Sequence, residues 1–126
     1  MGRGVGPCAV GLTVLIVDDH AAFRASARAL LEAEGLDVIG EAADGAQALR
    51  AVAELEPAIV VLDVQLPGLD GIEIANQLAS GRDPPAVVLV SSRDAAAYGP
   101  RLRNSLARGF ISKSALTGQA LAALVR

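Results

Sequence analysis

Apolar runs alternate along the chain with longer segments in which apolar residues recur at helical spacing. Continuous runs of β-branched and aliphatic residues predict strands at residues 12–17, 58–63, 86–90 and 109–112. A loosely alternating segment, residues 36–41, predicts an outer strand. The segments between these strands have helical periodicity, and the last helical segment, residues 116–125, follows the final strand.

The predicted helices have apolar faces and recognisable ends. Asp44 and Asp70 are suited to cap the second and third helices, and Pro57 ends the second. Gly99-Pro100 interrupts the fourth helical segment, residues 94–105, which is therefore either short from Pro100 or kinked. The residues expected to face the core are Phe23, Ala27, Leu30 and Leu31 in the first helix, Leu49, Val52 and Ala53 in the second, Ile74 and Leu78 in the third, and Leu121, Leu124 and Val125 in the last.

The order of these elements predicts the fold class. Five strands alternate with five helices, which is typical of an α/β domain whose parallel sheet is covered on both sides. Right-handed crossovers restrict such a (βα)5 chain to a doubly wound topology. We expect one domain over residues 12–126, preceded by a flexible leader over residues 1–11.

Composition narrows the possible function classes. Hydrophobic residues make up 52% of the 126 residues, yet only two Phe and one Tyr are present, so the core must be largely aliphatic. The net charge of −3 argues against unaided nucleic-acid binding. No apolar run reaches membrane-spanning length. The single cysteine, Cys8, excludes an internal disulfide and suits a reducing cytosol, so we expect a cytoplasmic location.

Residues with chemically useful side chains follow four of the five predicted strands. Because the carboxyl ends of parallel strands form one rim of the sheet, these side chains are expected to meet where open α/β sheets bind ligands. They are Asp18 and Asp19 after the first strand, Asp63 at the end of the third, Ser91 and Ser92 after the fourth, and Lys113 after the fifth.

Three carboxylates in one pocket repel one another. Two unit charges about 4 Å apart cost on the order of 4 kcal/mol at an effective dielectric constant of about 20. Such a cluster is stable when it binds a cation or holds a proton, and a hard divalent ion such as Mg²⁺ is the natural partner. An aspartate beside Mg²⁺ can also attack phosphorus and become an aspartyl phosphate.

Each of these residues also has a simpler structural interpretation. Asp18 and Asp19 can cap the first helix, and Asp63 taken alone can be a loop residue. The two serines can be ordinary turn residues, and Lys113 can be a solvated surface lysine. We interpret His20 as a helix-start residue near the mouth of the site rather than as a metal ligand.

Four segments, taken in order, carry a family resemblance. They are Leu-Ile-Val-Asp-Asp-His (15–20), Val-Leu-Asp-Val-Gln-Leu-Pro-Gly-Leu-Asp-Gly (61–71), Val-Leu-Val-Ser-Ser (88–92) and Gly-Phe-Ile-Ser-Lys-Ser (109–114). With them, the chain resembles the receiver (CheY-like) domain of two-component response regulators, and it is most similar to the NarL/FixJ-like subfamily. The resemblance implies a flavodoxin-like five-stranded fold with strand order 2-1-3-4-5.

The resemblance also implies a role for each acidic residue. Asp63 would be the phosphoacceptor, and Mg²⁺ would be the cofactor. Asp19 and Asp63 would bind the ion directly, together with the backbone carbonyl of Gln65. Asp18 would act mainly through water.

A conformational switch is implied in the same way. Ser91 would be the switch hydroxyl and would contact the phosphoryl group, as would Ser92 and Lys113. Phe110 would turn inward when Ser91 moves toward the phosphate, although an aromatic residue at this place can equally belong to the core. The change would be read out on the face formed by the fourth helix, the fifth strand and the fifth helix.

The implied partners are a sensor histidine kinase and a downstream protein target or DNA-binding partner. The domain would act alone or as the regulatory part of a transcription factor. No basic recognition helix follows Arg126, so direct DNA binding by this chain is not expected. Arg101, Arg103 and Arg108 would place positive charge on the readout face, which is a reason to expect a homodimer there.

Two other functions stay open at this point. One is an interaction module that resembles a receiver but works without phosphorylation. The other is a phosphohydrolase with Asp63 as its nucleophile, but haloacid-dehalogenase-like enzymes need a second aspartate where this chain has Gln65. We therefore expect no enzymatic activity beyond self-catalysed phosphorylation and slow autodephosphorylation.

Overall fold

The computed structural model describes residues 11–125, so the predicted leader lies outside the described residues except for Gly11. Within this range, the five strands of the main sheet alternate with five α-helices. The strands are β1 (Thr13–Val17), β2 (Asp37–Ala42), β3 (Ile59–Asp63), β4 (Ala86–Ser91) and β5 (Gly109–Ser112). The helices are α1 (Ala21–Ala33), α2 (Gly45–Leu55), α3 (Gly71–Ala79), α4 (Pro100–Arg103) and α5 (Gly118–Val125).

The five strands form one parallel sheet in the order β2-β1-β3-β4-β5. This confirms the predicted doubly wound (βα)5 architecture and the 2-1-3-4-5 strand order. Strand β2 lies at the edge, as its loose alternation predicted. All five residues of β3 are buried, because this strand lies at the centre of the sheet and is covered on both faces.

Two hydrophobic cores lie on opposite faces of the sheet because successive strand residues point to opposite sides. In β1, Leu15 and Val17 belong to the core beneath α2 and α3, whereas Val14 and Ile16 belong to the core beneath α1 and α5. All four are fully buried. Burial of each such side chain contributes roughly 1.5 to 3 kcal/mol.

The predicted inner faces are only partly correct. Ile74, Leu78 and Leu121 are buried, as predicted, and so are Ala27 and Leu31. The prediction that Leu30 faces the core is wrong, because Leu30 lies beside the buried residues of α1 and is 38% exposed. The remaining predicted residues of α5, Leu124 and Val125, are half-buried.

Helix α2 shows why bulky residues misled the prediction. Leu49 and Ala53 are exposed, whereas Gly45 and Ala48 are buried and Val52 is half-buried. A β-carbon at Gly45 would come within 2.6 Å of Leu69, so this helix approaches its neighbours through its smallest residues. The small residues allow close packing and form the buried face of α2, and the larger side chains lie outside that face.

The ends of the helices follow the capping rules. Asp44 accepts a hydrogen bond from the Gln47 amide at 2.8 Å, and Asp70 accepts one from the Ile72 amide at 2.9 Å, so both predicted caps are confirmed. Helix α5 begins two residues later than predicted, because a short 3-10 turn, Lys113–Ala115, comes first.

The segment around Gly99-Pro100 contains short elements. A 3-10 turn, Ala95–Ala97, precedes α4, which is only four residues long and begins at Pro100. Of the two predicted alternatives, the short helix is therefore correct. A small hairpin that was not predicted as strands pairs Gln65–Leu66 with Leu69–Asp70 around the Pro67-Gly68 turn.

Within residues 11–125, no helix has the length and apolar character needed to cross a membrane.

Candidate functional site

An acidic cluster lies at the carboxyl ends of β1 and β3. The carboxyl groups of Asp18 and Asp63 are buried, at 0% and 3% residue exposure, while Asp19 and His20 are exposed. One potential ligand atom from each of these four residues lies within 4.8 Å of the others. The structure therefore brings together the three predicted carboxylates, and it adds the imidazole of His20.

Lys113, at the end of β5, lies across this cluster. Its ammonium nitrogen is 2.5 Å from Oδ2 of Asp18 and 3.5 Å from Oδ2 of Asp63. The same nitrogen lies 4.4 Å from the ring centroid of Phe23, on α1. Oδ2 of Asp18 is buried and forms no hydrogen bond to the described residues, so the lysine supplies its charge partner.

Asp18 and Asp19 do not cap α1. The residue at the N-cap is His20, and its side chain forms no capping hydrogen bond. Instead, the backbone amide of His20 donates to Oδ1 of Asp18 at 2.8 Å, and its ring nitrogen Nδ1 lies 2.9 Å from the same oxygen. Nδ1 also lies 3.2 Å from Oδ1 of Asp19. One imidazole nitrogen therefore contacts both carboxylates.

The pKa values of the two buried carboxyl groups move in opposite directions. Burial by itself would raise the pKa of Asp18, but Lys113 and the hydrogen bonds from His20 lower it below its usual value. Burial raises the pKa of Asp63, the negative charge of Asp18 adds to this, and the Gln65 amide acts in the opposite direction. In the unliganded cluster, the ionised form of Asp63 is therefore the less favourable of the two carboxylates.

Asp63 is held by the loop that follows it. The Gln65 amide donates to Oδ1 of Asp63 at 3.1 Å, and the Gly71 amide donates to the carbonyl of Val64 at 2.9 Å. A β-carbon at Gly71 would lie 2.3 Å from the carbonyl oxygen of Asp63. Glycine is required here because α3 begins directly against the backbone of the site.

Arg24 is a part of the site that the sequence analysis missed. Its Nη1 donates to the backbone carbonyl of Asp18 at 2.6 Å, and its Nε donates to Glu41 at 2.9 Å. Helix α1 and the edge strand β2 are thereby linked to the acidic loop. The sequence signal that could have found it is an arginine one helical turn after the acidic loop.

The two serines at the carboxyl end of β4 differ in burial. Ser91 is fully buried, whereas Ser92 is exposed. Oγ of Ser91 lies 2.6 Å from the hydroxyl oxygen of Tyr98 and accepts a hydrogen bond from the Arg93 amide at 3.0 Å. Phe110 is half-buried, and its ring centroid lies 6.3 Å from that of Tyr98. Tyr98 was not among the site residues predicted from the sequence.

The acidic cluster has the chemistry of a site for a hard divalent cation. Its carboxylate oxygens are the ligands that Mg²⁺ prefers, and Mg²⁺ commonly uses few protein ligands and completes its shell with water. The exposed Asp19 leaves one side of the cluster open to solvent. Oδ2 of Asp18 is buried and faces the Lys113 ammonium at 2.5 Å, so the cluster already holds one cationic group. These residues therefore fit such an ion.

Comparison with known proteins identifies the family. The model of the response regulator receiver domain matches residues 14–126. The chain belongs to this family. The four segments that carry the family resemblance lie within the matched range. The strand order of the sheet is the one expected for the family.

The relatives of this receiver domain include transcription regulators. BvgA of Bordetella pertussis, described as a putative positive transcription regulator of virulence factors, is 40% identical over 100 residues, which cover 79% of this chain and 48% of BvgA. The structure of the signal receiver domain of the putative response regulator NarL from Mycobacterium tuberculosis has a TM-score of 0.78 at 32% identity, covering 92% of this chain and 94% of that one. The similarity to NarL/FixJ-type regulators is thus confirmed.

One relative of the receiver domain is an enzyme. A protein-glutamate methylesterase/protein-glutamine glutaminase of Myxococcus xanthus is 50% identical over 82 residues, which cover 64% of this chain but only 24% of that protein. The likeness therefore leaves most of the enzyme unmatched, and the receiver domain is a signalling domain. The chain spans about half the length of relatives such as BvgA.

Proposed function

We propose that this receiver domain accepts a phosphoryl group on Asp63, with Mg²⁺, from a sensor histidine kinase or a small phosphodonor. The observation that carries the proposal is the arrangement of two buried carboxyl groups, Asp18 and Asp63, beside the half-buried Lys113. The ammonium of Lys113 lies 2.5 Å from Oδ2 of Asp18 and 3.5 Å from Oδ2 of Asp63, so one cation contacts both the candidate nucleophile and the second carboxylate. The raised pKa of Asp63 is consistent with a site that is incomplete without an added positive charge.

The reaction is a single phosphoryl transfer. A carboxylate oxygen of Asp63 forms a bond to phosphorus as the bond between phosphorus and the donor's nitrogen or oxygen breaks, and the donor leaves with that electron pair. Asp19, Asp63 and the carbonyl of Gln65 would hold Mg²⁺, and Asp18 would act through water. The bound ion would neutralise charge on the phosphoryl oxygens.

The residues of the chain then stabilise the product. Lys113 would exchange its contact with Asp18 for one with a phosphoryl oxygen, and Ser91 would donate a hydrogen bond to another. The exposed Ser92 would add a further contact. Slow attack by water on the acyl phosphate would release inorganic phosphate and return Asp63 to its free form. This autodephosphorylation would be the domain's only hydrolytic activity.

We propose that phosphorylation is read out at the face formed by α4, β5 and α5. Phe110 on this face would move when Ser91 moves. Arg101 already forms an ion pair with Asp70, which leaves the exposed Arg103 and Arg108 as the charges available for a homodimer. Sedimentation of a variant with both residues changed to Glu tests this, and an unchanged phosphorylation-dependent dimer would contradict it.

The downstream partner follows from the relatives. In a transcription regulator of the BvgA kind, this domain would control a DNA-binding part, either in the same protein or in a partner. Acting alone, it would contact a protein target instead. A kinase partner and magnesium chemistry of this kind are typical of the cytoplasm, where we place the domain.

Intact-mass measurement after incubation with acetyl phosphate and Mg²⁺ tests the phosphoacceptor. We expect one added phosphoryl group that requires Mg²⁺ and is absent from the Asp63→Asn variant. Glu73, an exposed carboxylate on α3, provides a matched Glu73→Gln control that should still be labelled. No adduct would favour the phosphorylation-independent interaction module. Repeated turnover of phosphomonoesters would favour the phosphohydrolase.

A further inference from the structure

The hydroxyl of Ser91 already has two partners in this structure. Oγ accepts a hydrogen bond from the Arg93 amide at 3.0 Å and lies 2.6 Å from the hydroxyl oxygen of Tyr98. A serine hydroxyl has one proton and two acceptor positions. When Ser91 donates its proton to Tyr98, it has none left to donate to a phosphoryl oxygen on Asp63.

Tyr98 belongs to the segment that leads into α4. It follows the 3-10 turn Ala95–Ala97 and precedes Gly99, whose φ is 62°. Residues with side chains rarely adopt that conformation, so Gly99 allows the sharp change of direction before Pro100. The Ser91–Tyr98 hydrogen bond thus connects the end of β4 directly to the start of α4.

Tyr98 also contacts the predicted aromatic switch. Its ring and that of Phe110 have centroids 6.3 Å apart and planes inclined at 53°, an arrangement within the usual range for tilted aromatic pairs. Both rings pack against the core beneath α2 and α3. Ser91, Tyr98 and Phe110 therefore form a continuous chain of contacts from the site to the surface of α4 and β5.

We propose that Tyr98 is a positioning residue that holds the Ser91 hydroxyl in the unphosphorylated arrangement and releases it when Asp63 is phosphorylated. This inference rests on the proposed function, in which Ser91 donates to the phosphoryl group. With Ser91 as the donor in its hydrogen bond with Tyr98, Tyr98 and the phosphoryl oxygen compete for the same proton. The hydrogen bond to Tyr98 therefore stabilises the unphosphorylated form and must break in the phosphorylated one.

The Tyr98→Phe variant tests this competition, because it removes the hydroxyl and keeps the ring that packs against Phe110. Binding of beryllofluoride with Mg²⁺, a mimic of the phosphoryl group, is measured by calorimetry. We expect binding to the variant to be tighter by about two-fold to ten-fold, the range for one lost competing hydrogen bond. In a Ser91→Ala background, Tyr98→Phe should have no effect on this affinity.

The tyrosine itself provides a second readout. Tyr98 is the single tyrosine of the chain, and the sequence contains no tryptophan, so near-ultraviolet absorbance and fluorescence report mainly on its environment. Ser91→Ala should change the tyrosine spectrum of the unliganded protein. Beryllofluoride with Mg²⁺ should change the wild-type spectrum in the same direction, and a structural role for Tyr98 alone would not produce this effect.

The outcomes separate the two proposals. Unchanged or weaker beryllofluoride binding by Tyr98→Phe, in a protein whose wild type binds the mimic, would overturn the inference and leave the proposed function intact. A gain that persists in the Ser91→Ala background would also overturn it, because the effect would not act through Ser91. If the wild type neither binds the mimic nor becomes phosphorylated, the proposed function fails and this inference fails with it.

Discussion

The ammonium of Lys113 lies 2.5 Å from Oδ2 of Asp18, and its distance to the nearest oxygen of Asp63 is 3.5 Å. In the unliganded receiver domain, the lysine therefore neutralises Asp18 more than the proposed phosphoacceptor. The opposite pKa shifts of the two carboxyl groups agree with this arrangement. Phosphorylation of Asp63 would require the lysine to change partners, and several variants test how the charges are balanced.

Lys113→Met should lower the free energy of unfolding at pH 7 by about 1 to 3 kcal/mol, because it leaves Asp18 buried without its cation. The pKa of the Asp18 carboxyl group is lower in the folded protein than in the unfolded chain. Ionised Asp18 therefore stabilises the fold at pH values above its unfolded-state pKa, and this stabilisation is lost as pH falls through its folded-state pKa. The difference between wild type and variant should therefore shrink in acid. Urea unfolding across pH measures this, and a difference that is independent of pH would contradict the charge argument.

Asp63→Asn should stabilise the unliganded protein. The pKa of Asp63 is raised by folding, so its ionised form destabilises the fold at neutral pH, and this penalty disappears as pH falls below the unfolded pKa. We expect the melting temperature at pH 7 to rise by about 2 to 6 °C. The side-chain carbonyl oxygen of asparagine can still accept a hydrogen bond from the Gln65 amide. Calorimetry should show the gain at pH 7 and little gain in acid, and an equal or lower melting temperature at pH 7 would refute the prediction.

Gly71→Ala should be among the more damaging single changes near the site. The new β-carbon would lie 2.3 Å from the carbonyl oxygen of Asp63 and 2.6 Å from that of Val64, and backbone atoms cannot move aside as a flexible side chain can. We expect a loss of about 3 kcal/mol or more in unfolding free energy, measured by urea denaturation.

Gly81→Ala is the matched control for that experiment. A β-carbon there would lie 4.0 Å from the carbonyl oxygen of Leu78, which is an ordinary van der Waals distance. The change should alter the unfolding free energy by less than about 1 kcal/mol. Equal effects of the two substitutions would show that close approach to the Asp63 backbone is not the cause.

Asp70 connects two helices, and this predicts unequal effects of two substitutions. One of its oxygens caps α3 through the Ile72 amide, and the other pairs with Arg101 on α4. Asp70→Ala should cost about 1 kcal/mol or somewhat more, because it removes both interactions. Arg101→Ala removes only the exposed ion pair and should cost less than about 1 kcal/mol. Thermal melts at low and high salt would separate the two contributions, and a larger loss for Arg101→Ala would contradict this order.

Local pattern was sufficient where a feature depends on neighbouring residues along the chain. The run 58–63 predicts a central strand because continuous apolar sequence is buried on both faces, and β3 is indeed buried throughout. Asp44 and Asp70 were recognisable as caps because capping involves amides only two or three residues away. The pattern was less reliable for α2, whose buried face consists of small residues that carry little hydrophobic signal.

The sequence by itself determined that three carboxylates, two serines and a lysine would lie at one rim. Parallel strands with right-handed connections place all their carboxyl ends on the same edge, whatever the loops do. Only the tertiary structure decided which groups pair there: Lys113 with Asp18, Ser91 with Tyr98, and Arg24 with the Asp18 carbonyl. These pairs depend on ångström-scale distances set by side-chain conformation and by loops such as Ala95–Gly99, and hydrophobic periodicity contains no information about them.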